Sequence, residues 1–255
     1  MSIITGMTDM AHSVWTPAQV RELDRRASAD YGIPGHELMT RAGQAAFGIA
    51  RERWPDARRW LLLCGSGNNA GDGYVVARLA LAAGLEVTVV ALSDPARLQG
   101  DAATAWRDFQ AAGGRTQAFA PALIDASDLV VDALLGTGLQ RPVSGDYLAA
   151  IEAMNAGARP VLALDVPSGL DSANGAVLGA AVWADLTVTF VGQKAGLYLG
   201  SGPDCCGVIE FAGLDIPASI VEHLEVPPLF RLHGRDDLLH LLPPRPANAH
   251  KGSFG

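Results

Sequence analysis

The sequence predicts an α/β protein with a Rossmann-like, doubly wound and mostly parallel sheet that carries helices on both faces. Short runs that are apolar throughout alternate along the chain with longer segments whose apolar residues recur at helical spacing. Such runs are typical of strands buried on both faces of a parallel sheet, with helices as the crossover connections. In addition, the apolar run 60–64 leads into the glycine-rich stretch 65–73 and then into a periodic segment. This order predicts a strand-loop-helix unit whose free amides favour an anion.

Helix and strand signals recur in order along most of the chain. Thr16-Pro17 is a typical helix start, and the apolar spacing that follows continues the helix to about residue 30. A second helix is expected from about residue 35, with these apolar residues on its inner side: Leu38, Met39, Ala42, Ala45, Ala46 and Ile49. Further helices are predicted at 74–85, 98–112 and 147–156, and further strands at 87–92, 129–133, 161–165, 186–191 and, at the edge, 208–211.

The length of 255 residues allows one sizeable core, so one domain with a tail is expected. Residues 1–217 are assigned to that domain. Residues 218–255 are rich in proline and contain one helical pattern, at 235–242, so they are assigned to a linker and a stub.

Charge and composition restrict the partners and the compartment. The formal net charge of −8 disfavours nucleic acid and anionic membranes, because the electrostatic contribution has the wrong sign. No apolar run reaches membrane-spanning length and the N-terminus lacks an export pattern, so a cytoplasmic protein is expected. The chain has three cysteines, of which Cys205 and Cys206 are adjacent and Cys64 lies in a predicted strand, and this arrangement favours reduced thiols.

Polar residues follow the predicted strands at the points where the strands end. They are Asn68, Asn69 and Asp72 after the first strand, Asp132 with Gly136-Thr137-Gly138 further on, and Asp165 with Pro167-Ser168-Gly169. Each group alone is compatible with an ordinary turn or cap. Because ligands of open α/β sheets bind outside the carboxyl ends of the strands, their convergence on one sheet edge favours a ligand site.

The same edge combines a phosphate-binding type of loop with carboxylates, which would repel an anionic ligand. A bound cation would offset that repulsion. Asn69, Asp132 and Ser168 offer oxygen ligands only, which favours a hard ion: potassium, sodium, magnesium and calcium remain alternatives.

No histidine falls in these loops, so proton transfer is assigned to a carboxylate, with Asp165 as the best candidate. Lys194 is interpreted in two ways, as an exposed turn lysine or as a contact to ligand phosphate or to Asp165. Arg141 has a similar pair of interpretations, a phosphate contact or a solvated side chain. Trp183 is predicted to lie in the core.

Five motifs together resemble the NAD(P)H-hydrate epimerase family, over roughly residues 16–214. They are Leu38-Met39-Thr40-Arg41-Ala42-Gly43, Gly65-Ser66-Gly67-Asn68-Asn69-Ala70-Gly71-Asp72-Gly73, Asp132-Ala133-Leu134-Leu135-Gly136-Thr137-Gly138-Leu139, Asp165-Val166-Pro167-Ser168-Gly169-Leu170-Asp171 and Ala184-Asp185-Leu186-Thr187-Val188-Thr189-Phe190. The resemblance implies an isomerase of nicotinamide cofactor repair. Such an enzyme interconverts the R and S forms of hydrated NADH or NADPH, which carry a hydroxyl at C6 of the ring.

The resemblance also implies the residues of the site. Those expected to bind the substrate are Asn68, Asn69, Ala70, Gly71, Asp72, Gly136, Thr137, Gly138, Leu139, Gln140, Arg141, Pro142 and Asp165. One potassium ion is expected on the residues matching Asn69, Asp132 and Ser168. The family usually has glycine where this chain has Ala70. The closing residues 249–255 resemble the start of the dehydratase domain of bifunctional members, so a linked dehydratase domain is a further expectation, with no dehydratase activity in this chain. A homodimer remains an open alternative.

For the reaction we hypothesise that the ring nitrogen expels the hydroxyl to give a planar iminium, which water re-enters from the other face. Asp165 then acts as the acid on departure and the base on return. Ring opening to an aldehyde is an alternative route. Two other functions compete, an NAD-dependent dehydrogenase with Asp94 at a ribose hydroxyl, and a non-catalytic binding module.

Overall fold

The computed structural model describes residues 10–222, 224 and 226–234. The predicted helix at 235–242 and the predicted stub at 249–255 lie outside the described residues. The strands are β1 Ser13–Trp15, β2 Arg59–Cys64, β3 Glu86–Ala91, β4 Thr116–Gln117, β5 Leu129–Ala133, β6 Val161–Leu164, β7 Leu186–Phe190, β8 Gln193–Lys194, β9 Val208–Ala212 and β10 Phe230–Arg231. The helices are α1 Pro17–Ala29, α2 Gly35–Arg53, α3 Asn68–Ala82, α4 Gly100–Ala111, α5 Ala122–Ala126, α6 Gly145–Ala156, α7 Gly202–Cys205 and α8 Ser219–Glu222.

The main sheet has seven strands in the order β4-β3-β2-β5-β6-β7-β9, and every neighbouring pair is parallel. The chain winds outward from β2 in one direction and from β5 in the other, so the topological switch point lies between β2 and β5. Helices α1 to α4 pack on one face, where Leu23, Met39 and Tyr74 join the larger core cluster. Helices α5 and α6 cover the other face through Ile124 and Ile151. The predicted doubly wound fold is therefore confirmed.

Helix α3 begins earlier than the sequence pattern predicts, at Asn68 instead of residue 74. Its glycines serve close packing. A Cβ atom on Gly71 would lie 2.6 Å from the Met39 sulfur, and one on Gly73 would lie 2.6 Å from the Ala133 Cβ. The glycine-rich stretch therefore forms the first turns of a helix pressed against α2 and β5, and only residues 65–67 remain as the loop.

A second, three-stranded sheet has the order β10-β1-β8 and was not predicted. Trp15 in β1 pairs in parallel with Lys194 in β8, and Val14 pairs in antiparallel with Phe230 in β10. These strands have two or three residues, too few to show a period of two. Helix α8 and strand β10 lie in the segment 218–255 and were not predicted, and β10 docks this part of the chain on β1.

Two side-chain predictions have opposite outcomes. Trp183 is 64% exposed, so its assignment to the core is wrong. Its backbone amide donates to Asn155 Oδ1, at 2.9 Å, and its neighbour Val182 takes the buried position instead. All three cysteines, Cys64, Cys205 and Cys206, are buried and free, as expected.

Within the described residues, no helix combines the length and apolar character needed to span a membrane.

Candidate active site

Two adjoining cavities open at the carboxyl ends of the central strands, and both are lined by Asn68 and Thr137. The first, called here the acidic cavity, has a volume of about 350 Å³ and is lined by Asp24, Asp72, Asp165 and Lys194, among others. The second, called here the glycine-loop cavity, has a volume of about 720 Å³. It is lined by Ser66, Gly67, Asn68, Leu134, Leu135, Gly136, Thr137, Gly138, Leu139, Gln140 and Arg141.

The glycine-loop cavity lies at the N-terminus of α3, at the switch point of the sheet. Gly67 is the N-cap residue of α3, and no side chain caps this end. The first amides of a helix have no intrahelical partner and carry the positive end of the helix dipole. This geometry suits a phosphate group, and exposed Arg141 at the rim of the same cavity adds a positive charge.

Two glycines of this loop provide a matched test of its packing. A Cβ atom on Gly65 would lie 1.9 Å from the Leu134 carbonyl oxygen, whereas one on Gly67 would meet nothing within 4 Å. We expect Gly65→Ala to lower the free energy of unfolding by at least about 2 kcal/mol, because backbone atoms have to move. Gly67→Ala should cost less than about 1 kcal/mol, the range of an altered N-cap. Urea denaturation of both variants measures this difference, and equal stabilities would contradict it.

Asp132 lies at the end of β5 and is completely buried. Ser168 donates to it twice, from its hydroxyl to Oδ1 at 2.6 Å and from its amide to Oδ2 at 2.8 Å, and the Leu134 amide donates to Oδ1 at 3.2 Å. Burial raises the pKa of Asp132 to about 6, although these hydrogen bonds act in the opposite direction. The arrangement joins the loops after β5 and β6.

Asn69 adds an unpaired oxygen to this network. Its amide nitrogen donates to the Leu135 carbonyl oxygen at 3.0 Å, while its Oδ1 is buried without any hydrogen-bond partner among the described residues. A buried acceptor without a partner is costly, and a cation would satisfy it. The three oxygen-bearing side chains Asn69, Asp132 and Ser168, which the sequence analysis placed together, are thus linked through Leu135 and fit a hard cation.

Asp165 follows β6 with a φ of 66°, in the left-handed region that residues with a side chain seldom adopt. Its carboxylate forms an ion pair with Lys194 and accepts a hydrogen bond from the Phe190 amide at 3.3 Å. Backbone strain of this kind persists only where the surrounding structure holds it, and it is common at functional sites. Among the described residues that line the acidic cavity, three non-glycine residues have a positive φ: Asp165, Val191 and Leu214.

Lys194 is buried, with its side chain 2% exposed, so the interpretation as an exposed turn lysine is wrong and the contact to Asp165 is correct. Its ammonium also donates to the Phe190 carbonyl oxygen at 2.8 Å and to Thr189 Oγ1 at 3.2 Å. All three ammonium protons are therefore used, as a buried ammonium requires. Because Lys194 lies in β8, the small second sheet positions it.

Two acids complete the acidic cavity from helices α1 and α3. Burial raises the pKa of Asp24 to about 6, and the Lys194 charge partly opposes that shift. The pKa of Asp72 is raised well above its usual range, first by burial and then by the carboxylates of Asp165 and Asp24. Sequence reasoning missed Asp24, since it lies on an amphipathic helix remote from every loop that the sheet pattern identified.

The other residues expected to bind substrate lie in two environments. Ala70 and Gly71 face the protein interior, and Ala70 is fully buried inside α3 without a positive φ, so the methyl group requires no unusual backbone. Pro142 is exposed and lines neither cavity, and Gln140 and Leu139 line the glycine-loop cavity. Their roles in binding remain predictions. No described histidine lines either cavity.

Comparison with known proteins identifies the family of this chain. The family model described as YjeF-related protein N-terminus matches residues 35–196, which is more than half of the chain. The chain belongs to this family. The match runs from the start of α2 to just past Lys194, and it includes Asn69, Asp132 and Asp165.

The similar proteins include one named as an epimerase and several named as bifunctional repair enzymes. The NAD(P)H-hydrate epimerase of Limosilactobacillus fermentum is 38% identical over 200 residues, which cover 78% of this chain and 95% of that protein. The bifunctional NAD(P)H-hydrate repair enzyme Nnr of Escherichia coli (strain K12) is 41% identical over 244 residues, which cover 96% of this chain and 47% of that enzyme. The chain thus spans about half the length of the bifunctional relatives that it matches.

A solved structure shows the same fold. The crystal structure of yeast ynu0 superposes with a TM-score of 0.73, covering 88% of this chain and 98% of that chain. The sequence identity between the two is 18%, so this likeness concerns the fold alone.

Proposed function

We propose that this chain is an isomerase that interconverts the R and S forms of hydrated NADH and NADPH at C6 of the nicotinamide ring. The match to an epimerase over 95% of that enzyme's length supports this activity. The observation that carries the proposal is the pairing of an anion-binding helix N-terminus with an adjoining cavity that contains the Asp165–Lys194 ion pair. The first feature suits the phosphates of a dinucleotide, and the second suits proton transfer at its ring.

Asp165 is the proposed catalytic residue. Expulsion of the C6 hydroxyl by the ring nitrogen leaves a planar iminium, and water adds to either face of that iminium. Asp165 lines the acidic cavity as the acceptor of an ion pair with Lys194, and its carboxylate is the proposed acceptor of a proton from the entering water. The negative carboxylate also stabilises the positive charge that develops on the ring.

A potassium ion is the proposed cofactor. Asn69 Oδ1 and the oxygens of Asp132 and Ser168 would hold it, and the unpaired buried Asn69 Oδ1 supports this assignment. Its positive charge would offset the buried Asp132 carboxylate beside the loop that receives the substrate phosphates. The choice of potassium over sodium, magnesium or calcium rests on the family resemblance, and the chemistry of the oxygen donors suits all four ions.

Ion binding should be visible as a gain in stability. At a potassium concentration ten times the dissociation constant, we expect a gain of about 1.4 kcal/mol, or a rise in Tm of roughly 3–6 °C. Asn69→Ala should lose this gain, whereas Asn68→Ala, at the adjacent position, should keep it. Thermal unfolding in potassium chloride and in choline chloride at equal ionic strength measures the effect. Equal Tm values in both salts for the wild-type chain would contradict the assignment.

The activity itself is tested by incubating one purified epimer of hydrated NADH with the chain and following the other epimer by chromatography. We expect exchange to equilibrium without net formation of NAD or NADH. Oxidation of an alcohol with a rise at the NADH absorbance band would favour the dehydrogenase instead, and no exchange of either epimer would favour a binding module.

A further inference from the structure

We propose that Asp72 is the general acid of this site and that Asp24 is a positioning residue that keeps Asp72 protonated. This inference rests on the proposed epimerase activity and goes beyond it, because it divides the proton transfers between two carboxyl groups. Asp165 then acts as the base that receives the proton of the entering water.

Because Asp165 is held in the ion pair, protonation of the departing hydroxyl requires another proton donor. Lys194 contacts Asp165 with one proton and uses its other protons on Phe190 and Thr189, so among the described residues Asp165 is the carboxylate in direct contact with the ammonium. An ionised carboxylate is an acceptor only, so a departing hydroxyl needs a separate donor. The donor therefore has to come from another group that lines the acidic cavity.

Asp72 meets the requirements of that donor. It is only 9% exposed, it lines the acidic cavity, and among the described residues its carboxyl group has no hydrogen-bond or ion-pair partner. Burial without a partner favours the neutral form of a carboxyl group, which carries a proton to donate. Asp72 lies beyond the first turn of α3, where the favourable effect of the helix dipole on a carboxylate has faded.

Asp24 lines the same cavity as Asp72 but comes from a different helix, α1. It is half-buried and has no hydrogen-bond partner within the described chain. Its negative charge raises the pKa of Asp72, as does the Asp165 carboxylate, while the Lys194 ammonium lowers it. The other charged groups that line the cavity are Arg25, which is ion-paired with Glu22, and Asp101.

The atoms and charges of the proposed step balance. The C6–O bond breaks, its electron pair stays on the oxygen, and that oxygen takes the Asp72 proton and leaves as water. The lone pair of the ring nitrogen forms the double bond of the iminium. A water molecule then forms a new C6–O bond on the other face and gives a proton to the Asp165 carboxylate. Exchange with solvent returns the proton from Asp165 to Asp72, and the reverse reaction uses the two groups in opposite roles.

The test compares three Asp→Asn variants in epimer exchange as a function of pH. Asp72→Asn should lower kcat by about 100-fold or more while the affinity for NADP, measured by calorimetry, stays within a few fold. Asp24→Asn should keep its activity at low pH and shift the alkaline limb of the kcat profile to lower pH, because removal of a like charge lowers the pKa of Asp72. Asp56→Asn, at an exposed position in the turn before β2, is the surface control.

Infrared difference spectroscopy supplies a readout that does not depend on turnover. The band of a protonated carboxyl group should be present in the wild-type chain at neutral pH, absent from Asp72→Asn, and lost at a lower pH in Asp24→Asn. Wild-type exchange rates in a folded Asp72→Asn variant would overturn the inference and leave the epimerase activity intact. A wild-type chain that exchanges neither epimer would overturn the proposed function and the inference with it.

Discussion

Asp165→Asn should slow the exchange of the two epimers by about 100- to 10,000-fold, the range usually contributed by a positioned acid or base. In the proposed mechanism the substitution removes the group that accepts the proton of the entering water, and it also removes the negative charge that stabilises the cationic ring. The side chain keeps its shape, so the dinucleotide should still bind at the N-terminus of α3. The expected pattern is a large fall in kcat with little change in the affinity for NADP.

The measurement uses one purified epimer as substrate and NADP binding by calorimetry in parallel. Asp56→Asn controls for the loss of one charge at an exposed position. An Asp165→Asn variant that exchanges the epimers at the wild-type rate would refute the catalytic assignment of Asp165. A variant that loses affinity in proportion to its rate would indicate that Asp165 acts in binding.

Lys194→Met should lower both activity and stability, because it leaves the Asp165 carboxylate without its partner. Breaking a buried ion pair by removal of one member costs about 3–5 kcal/mol. Because the Asp165 side chain is 17% exposed and borders a cavity, we expect a value near the lower end of that range. Lys194→Arg should not restore the site, since a planar guanidinium does not fit a position shaped around a buried ammonium.

The double variant Asp165→Asn/Lys194→Met distinguishes the direct interaction between the two side chains from their separate contacts with the rest of the protein. It removes both charges, so it should lose less stability than the sum of the two single variants, with a coupling of about 0.5–3 kcal/mol. Urea denaturation of the four proteins gives this coupling directly. Additive losses would show that the ion pair contributes nothing beyond the separate packing of its two members.

Much of the fold follows from local patterns in the sequence. The predicted bounds of strand β5 are identical to the observed ones. The predicted bounds of α1 and α6, and the predicted start of α2, lie within two residues of the observed bounds. Continuous apolar runs mark β2, β6 and most of β5 because these strands are buried on both faces, and such strands favour a parallel sheet. From that topology follows the convergence of Asn69, Asp132 and Ser168, because the ends of neighbouring parallel strands meet at one edge.

Other features needed the tertiary structure because no local signal encodes them. The start of α3 depends on Gly71 and Gly73 packing against α2 and β5, and glycine in a sequence indicates a loop as readily as a close approach. Trp183 is exposed because its neighbour Val182 occupies the core position instead, and the sequence does not indicate which of the two does so. Strands of two residues, such as β8 and β10, exist only because partners distant in the sequence pair with them.

The sequence by itself predicted the parallel α/β sheet, a ligand site at the carboxyl ends of its strands and the catalytic candidate Asp165. Only the tertiary structure decided that Lys194 is buried beside Asp165 and that Asp24 and Asp72 face the same cavity. The physical reason lies in the range of the interactions. Periodic burial is a property of neighbouring residues, whereas the charge environment of a carboxyl group depends on side chains brought together from α1, α3, the end of β6 and β8.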